Sequence, residues 1–268
     1  AGNLVATTDD NNGVIDLGQM AVDGTVALTT NGNGAATIVN DAGLNFTTST
    51  VTGALSATAT TGDITDSGNL TITGAATFIT GVDESNIVLD SSGNAFSSSV
   101  EMRADAGGED FGNITFVDSA GIDFATSAGS NGDLYINSST DGTVGGNLSV
   151  TATTGNITDT VAVVTTGSST SSFTTSATNG TITLNTPASL AGAVTLSTTG
   201  ASGNATIDNG TTALNIAASS IGGNLTVTSG AGAGITDSGT VTVAGNLVAT
   251  TDANSGVIDL GTTTVTGT

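Results

Sequence analysis

Cysteine, histidine, lysine and tryptophan are all missing from this 268-residue chain, and each absence closes off a chemistry. Without cysteine there are no disulfides, thiolate metal sites or thiol nucleophiles. Without histidine or lysine the most frequently used general bases and amine nucleophiles are gone. A single cation, Arg103, faces 23 acidic side chains, so the net charge is −22. Such a surface repels nucleic-acid phosphates and anionic lipid, and leaves divalent cations and basic partners as what the charge would attract. No run of 18 apolar residues and no secretory leader pattern occurs, so the expectation is that this stretch neither inserts nor exports itself. Charged residues are only 9% of the total, against about 25% in ordinary soluble domains.

Aromatic residues are scarce too, at one Tyr (Tyr135) and seven Phe. A core must then be assembled from Val, Ile, Leu and Ala, where a sandwich of this length would use heavier anchors. What is abundant is Gly, Ser, Thr and Asn, a composition that raises disorder. Disordered chains, however, lack aliphatic and β-branched residues at regular short intervals, and here they recur throughout.

The recurrence has a period. Asn-Leu opens a segment at Asn3, Asn69, Asn147, Asn224 and Asn246, at separations close to multiples of 11. In Asn69-Leu70-Thr71-Ile72-Thr73 the apolar residues alternate with Thr, the period-two pattern of a half-buried strand. Asp66-Ser67-Gly68 and Asp237-Ser238-Gly239 read as turns in which Asp bonds its own backbone and Gly takes a positive φ. Nothing reads as a helix. A longer copy lies over this one: residues 244–268 match residues 1–25 at 19 of 25 positions. The chain thus reads as one continuous segment over 1–268, with 1–243 one long repeat and 244–268 the start of the next. It opens in mid-phrase, at Ala1-Gly2-Asn3-Leu4, which marks it as part of something longer.

Short strands, Gly/Asn/Asp turns and a cycle near 22 residues predict an all-β parallel β-solenoid without helices, each coil lying about 4.8 Å above the last. Leu225 then stacks on Leu247 and Val227 on Ala249. Tandem immunoglobulin-like sandwiches are the competing fold. They need heavier cores and an even domain length, whereas Ile64, Ile157 and Ile235 of the Ile-Thr-Asp phrase are unevenly spaced.

The phrases Gly-Asn-Leu-Thr-Val/Ile-Thr and Ile-Thr-Asp-Ser-Gly, as in 222–239 and 64–73, resemble the repeats of filamentous-haemagglutinin-like exoproteins, giant repeat proteins of the autotransporter-adhesin type. The resemblance extends along the whole chain. It implies a right-handed parallel β-helix, secretion to the cell surface, and service as a fibre or adhesin shaft. That family's secretion domain and cell-binding regions have no counterpart here.

Several residues invite chemistry. Asp9, Asn11 and Asp16 recur as Asp252, Asn254 and Asp259, and hard oxygen ligands at a turn suit Ca²⁺. Neither the EF-hand spacing nor the Gly-rich Ca²⁺ nonapeptide is present, and turn-forming Asp and Asn account for the same letters. The stretch 101–111 departs most from the repeat, with Glu101, Arg103, Asp105, Glu109 and Asp110 close together. It is a candidate ligand or inter-fibre loop, or else a solvated turn with Arg103 neutralised by Glu101 or Asp105. Asn-x-Ser/Thr triplets, including Asn45, Asn69, Asn113, Asn156 and Asn224, match a glycan acceptor pattern that strand-opening Asn followed by outward Thr also produces. Thr-x-Thr pairs such as Thr226/Thr228 raise ice binding. Enzymes that act on acidic polysaccharides share the β-helix but need cations to hold substrate, and only Arg103 is available. No catalytic residues and no organic cofactor are therefore expected, with Ca²⁺ the one candidate ion. The function expected is a non-enzymatic, stiff, acidic, extracellular or cell-surface filament. Its partners would be copies of itself, end to end or side by side, or a cell-surface or polysaccharide ligand if it is an adhesin shaft. Nucleic acid and membrane insertion are not expected.

Overall fold

The computed structural model describes residues 2–104, 112–125, 133–136, 143–230, 232, 234–252 and 255–267. Among these every strand pairing is parallel, no helix occurs, and the strands return about every 22 residues as coils of a β-solenoid. The chain divides into two compact units, residues 1–120 with 125–142 and residues 121–124 with 143–268.

In the first unit one sheet stacks Ile15–Met20, Ala36–Asn40, Leu55–Ala59, Ala76–Thr80, Val100–Arg103 and Asp133–Ile136. Its inward columns are in register: Ala36, Leu55, Ala76 and Val100 form one, and Ile38, Ala57, Phe78 and Met102 another. A second sheet begins with the long strands Leu4–Asn11 and Thr25–Asn31. In the next coils it bends, so that Leu44–Phe46 and Ser49–Val51 together replace one long strand, as do Ile64–Asp66 and Leu70–Ile72. Alternation dictates this arrangement, because strands of the inner coils bury every second side chain, as in Leu70, Thr71 and Ile72, where only Thr71 is exposed, whereas the first strand, Leu4–Asn11, leaves its inward residues half-buried. Four phenylalanines, Phe46, Phe78, Phe96 and Phe116, form a chain of ring contacts with centroids 6.3, 6.1 and 5.2 Å apart.

The second unit repeats the plan with aliphatic residues. One sheet runs Ile122–Phe124, Ile157–Asp159, Ile182–Leu184, Ala205–Asp208, Leu225–Ser229 and Leu247–Thr251. The other runs Leu148–Ala152, Ser171–Thr178 and Ala193–Thr199, then bends into Leu214–Ile216 with Ser219–Ile221, Ile235–Asp237 with Val241–Val243, and Ile258–Asp259 with Thr263–Val265. A short third sheet joins Thr143–Val144, Val164–Thr165 and Ser189–Leu190. Leu225 pairs with Leu247 and Val227 with Ala249, as the alternation predicts.

The multiples of 11 now have a cause. Within the second unit, the phrase starting at Gly146 places Leu148–Ala152 on the bent sheet and Ile157–Asp159 on the straight one. The phrase starting at Gly223 does the reverse, with Leu225–Ser229 on the straight sheet and Ile235–Asp237 on the bent one. Asn147 and Asn224 are thus separated by three and a half coils. Asn224 and Asn246, a full coil apart, share a sheet. Both sheets ask for the same buried–half-buried alternation, so one phrase fits either.

Candidate functional site

The polar residues that the structure engages most fully are those between coils. Asn204, Asn224 and Asn246 stand one above another: the Asn204 carboxamide oxygen accepts the Asn224 N–H at 2.7 Å, and that of Asn224 accepts the Asn246 N–H at 2.8 Å. In the first unit Asp63, Asn86 and Asn113 make the same ladder at 2.7 and 2.8 Å. Each side chain satisfies the backbone donor that opens the next strand, which would otherwise be left over at the corner. The preceding glycine makes room. A Cβ on Gly223 would lie 2.4 Å from the Asn204 oxygen, and one on Gly245 2.4 Å from that of Asn224. In Gly-Asn-Leu, then, glycine admits the neighbour's amide, asparagine clamps the next coil and leucine enters the core. This also occupies Asn156, whose oxygen accepts the Thr181 N–H at 2.9 Å.

Ile-Thr-Asp ends in a second clamp. Asp66 accepts the Asp90 N–H at 2.9 Å and the Asn94 carboxamide at 2.6 Å. Asp159 accepts the Asn185 and Thr186 N–H groups at 2.9 and 3.0 Å, and Asp237 those of Gly261 and Thr262 at 2.8 and 2.9 Å. The aspartates of these turns therefore reach chiefly to the next coil, which corrects the expectation of a turn closed on itself. Nor do Gly68 and Gly239 adopt a positive φ. They are small because a Cβ would meet the Thr48 nitrogen at 2.5 Å and the Ala218 nitrogen at 2.6 Å. Burial pushes the Asp159 carboxyl up from its ordinary range, against the opposing pull of those N–H groups. Asp118, 2% exposed, is likewise raised by burial although the Phe96 and Ala120 N–H groups bond it. The half-buried Asp237 is lowered, first by the Thr262 N–H and then by its hydroxyl.

Three fully buried asparagines were not singled out by sequence pattern: Asn94, which donates to Asp66 and accepts the Leu70 N–H at 2.8 Å, and the related pair Asn40 and Asn209. Asn40 accepts the Val22 N–H at 2.8 Å and donates to the Val22 and Gly43 carbonyls. Asn209 accepts the Leu190 N–H at 2.7 Å and donates to the Leu190, Thr212 and Ala213 carbonyls. Both are 0% exposed. The available signal was Ala36-Thr37-Ile38 returning as Ala205-Thr206-Ile207, with an Asn two residues on.

The residues marked for Ca²⁺ are spread over surface strands. Asp9 and Asn11 end the strand Leu4–Asn11. Asp16 faces outward beside Thr37, and Asp259 beside Thr236. Asp252 is exposed and donates its backbone N–H to Ser229, while Asn254 lies outside the described residues. Among the described residues no three His, Cys, Asp or Glu side chains converge as they would around a metal. Of the 101–111 stretch, Glu101 and Arg103 lie two apart on one strand and so on one face, where the Arg103 Nε donates to Glu101 at 2.8 Å and Nη2 completes the ion pair. Asp105, Glu109 and Asp110 lie outside the described residues.

Repeated parallel coils, clamped to one another by Asn and Asp, define a β-solenoid repeat protein. More particularly, the chain belongs to the family described as repeats of unknown function (DUF5649), whose model matches residues 33–103 and 202–265, just over half of the chain. Each match opens on the Ala-Thr-Ile strand and contains the buried Asn40 or Asn209. No curated protein and no solved structure matches the chain.

Proposed function

We propose that the chain is a non-enzymatic structural segment of an extracellular fibre or cell-surface filament, similar in kind to the shafts of filamentous-haemagglutinin-like exoproteins. The observation that carries this reading is the coil-to-coil continuity of both the apolar columns and the Asn and Asp clamps. Strands, core and polar ladders all bond along the stacking direction, so load along it is shared among many neighbour interfaces rather than one core. The acidic, lysine-free composition supports an extracellular setting, because with Arg103 as its one basic residue the chain offers trypsin a single cleavage point. Electron microscopy of native, full-length material is the test. Thin unbranched filaments with a meridional repeat of about 4.8 Å are expected; beads about 40 Å apart would mean tandem sandwiches and end the proposal.

An adhesin shaft is the second reading. It is favoured by one observation: Glu101 and Arg103 stand where the preceding coil has Thr77 and Ile79, which sets the chain's one basic side chain beside a carboxylate on an outward face. Loss of binding to cells or polysaccharide on Arg103→Ala, with filaments intact, would select it.

A further inference from the structure

Charge is divided unevenly between the two units. Only six of the 23 acidic residues, Asp123, Asp159, Asp208, Asp237, Asp252 and Asp259, belong to the second unit. On its bent sheet an outward column runs Thr151, Thr174, Ser197, Ser220, Thr242 and Thr264, paired in register through six successive coils. Every member is a hydroxyl. Ser149, Ser172 and Thr195 form a second column two residues away on the same face. The bent sheet's own carboxylates, Asp237 and the outward Asp259, stand on its other limb at the last two coils, off this column, whereas the comparable column on the straight sheet, Thr158, Thr183, Thr206 and Thr226, itself starts at Asp123 and is flanked in the neighbouring column by Asp208.

We propose that the six-hydroxyl ladder on the bent sheet of the second unit is the face through which a second copy of this chain lies alongside the first. The inference rests on the fibre reading and names its lateral contact. A chain of net charge −22 repels its own kind, so side-by-side contact requires a face on which no carboxylates oppose one another. A column of one residue chemistry, repeated at about 4.8 Å, is complementary to itself: hydroxyls and methyls of two such columns interdigitate and hydrogen-bond. Two copies related by a two-fold axis would bring Ser197, near the middle of the column, close to its mate.

The size of the face sets the strength. Six coils by one strand width is about 24 by 17 Å, roughly 400 Å² per partner, against about 800 Å² per partner in a standard stable interface. Single copies therefore associate weakly, and repeated copies along a filament bind by avidity.

The absence of cysteine gives a direct test. Ser197→Cys provides the only thiol, and Thr206→Cys places one on the straight sheet as a control. Under mild oxidation at matched concentration, Ser197→Cys is expected to give at least tenfold more disulfide-linked dimer, increasing with salt as repulsion is screened. Ser197→Asp is expected to abolish the bundling of native filaments without changing the filaments themselves. Equal cross-linking from the two thiols, or bundles that survive Ser197→Asp, overturns the lateral face and leaves the fibre reading standing. If no filaments form at all, the fibre reading fails, while the ratio of the two cross-linked variants still decides the surface.

Discussion

The two units solve the same stacking problem with different materials. The first fills its coils with a run of phenylalanines and carries most of the acidic residues, whereas the second is aliphatic inside and hydroxylated outside. Phe46, Phe78 and Phe96 meet edge to face, a geometry that adds about 0.5–1.5 kcal/mol per pair beyond area burial. In the second unit only Phe124 and Phe173 make such a contact, and columns such as Leu225 over Leu247 do the rest. The clamps are nevertheless the same in both. Coil geometry is therefore held by the polar ladders, and the core residues are exchangeable as long as they fill the cross-section.

The largest test of that contrast is Phe78→Ala, which removes the middle of the ring chain. A loss of about 3–5 kcal/mol is expected, read as lost hydrogen-exchange protection in the coils on either side, since repeat arrays need not unfold in one step. A loss under 1 kcal/mol would mean the phenylalanines are passengers.

If the clamps are equivalent, Asn40→Ala and Asn209→Ala should cost alike, each about 1–3 kcal/mol for stranding a buried donor and several carbonyls. A twofold or greater difference in cost, measured by urea titration, would break the equivalence. Gly223→Ala should be smaller, about 1–2 kcal/mol from crowding against Asn204. Replacing Asn204 with Ala in the same chain should recover part of that loss; additive losses in the double variant would refute the steric account.

A still smaller effect is expected with pH. Asp118 in the first unit and Asp159 in the second are both raised above 3.8 by burial. A raised folded-state pKa means that the charged form is penalised in the fold. Their contribution is thus fully present below 3.8 and lost as pH rises through the folded value, so urea midpoints should increase on acidification from pH 7 toward that window. Asp237 works with the opposite sign, its contribution held above 3.8 and lost as pH falls through its lower folded value. A midpoint that falls steadily from pH 7 to 5 would contradict the burial argument. Least of all, Glu101→Gln should change stability by no more than about 1 kcal/mol, because the pair lies on the outer face with its partner Arg103 39% exposed.

Much of this was legible along the chain. Alternation named the inward residues of 70–72 and the pairing of Leu225 with Leu247, since side-chain direction in a strand depends only on position parity. The absence of helix among the described residues and the coil length followed from turn and repeat spacing. The Asn and Asp clamps were less legible, because the partner of each lies 20 to 27 residues further on and is a backbone N–H of no particular residue type. Asn40 and Asn209 look like any turn asparagine until the neighbouring coil closes over them.

The sequence by itself determined that this protein is a stack of parallel coils and which residues of strands such as Leu70–Ile72 and Leu225–Ser229 turn inward, because both follow from periodicity. Which sheet a given Gly-Asn-Leu phrase joins was decided only in the tertiary structure. Both sheets accept the same alternation, so the choice rests on how many half-coils the intervening chain winds. That quantity is set by contacts between coils and is written in no single residue.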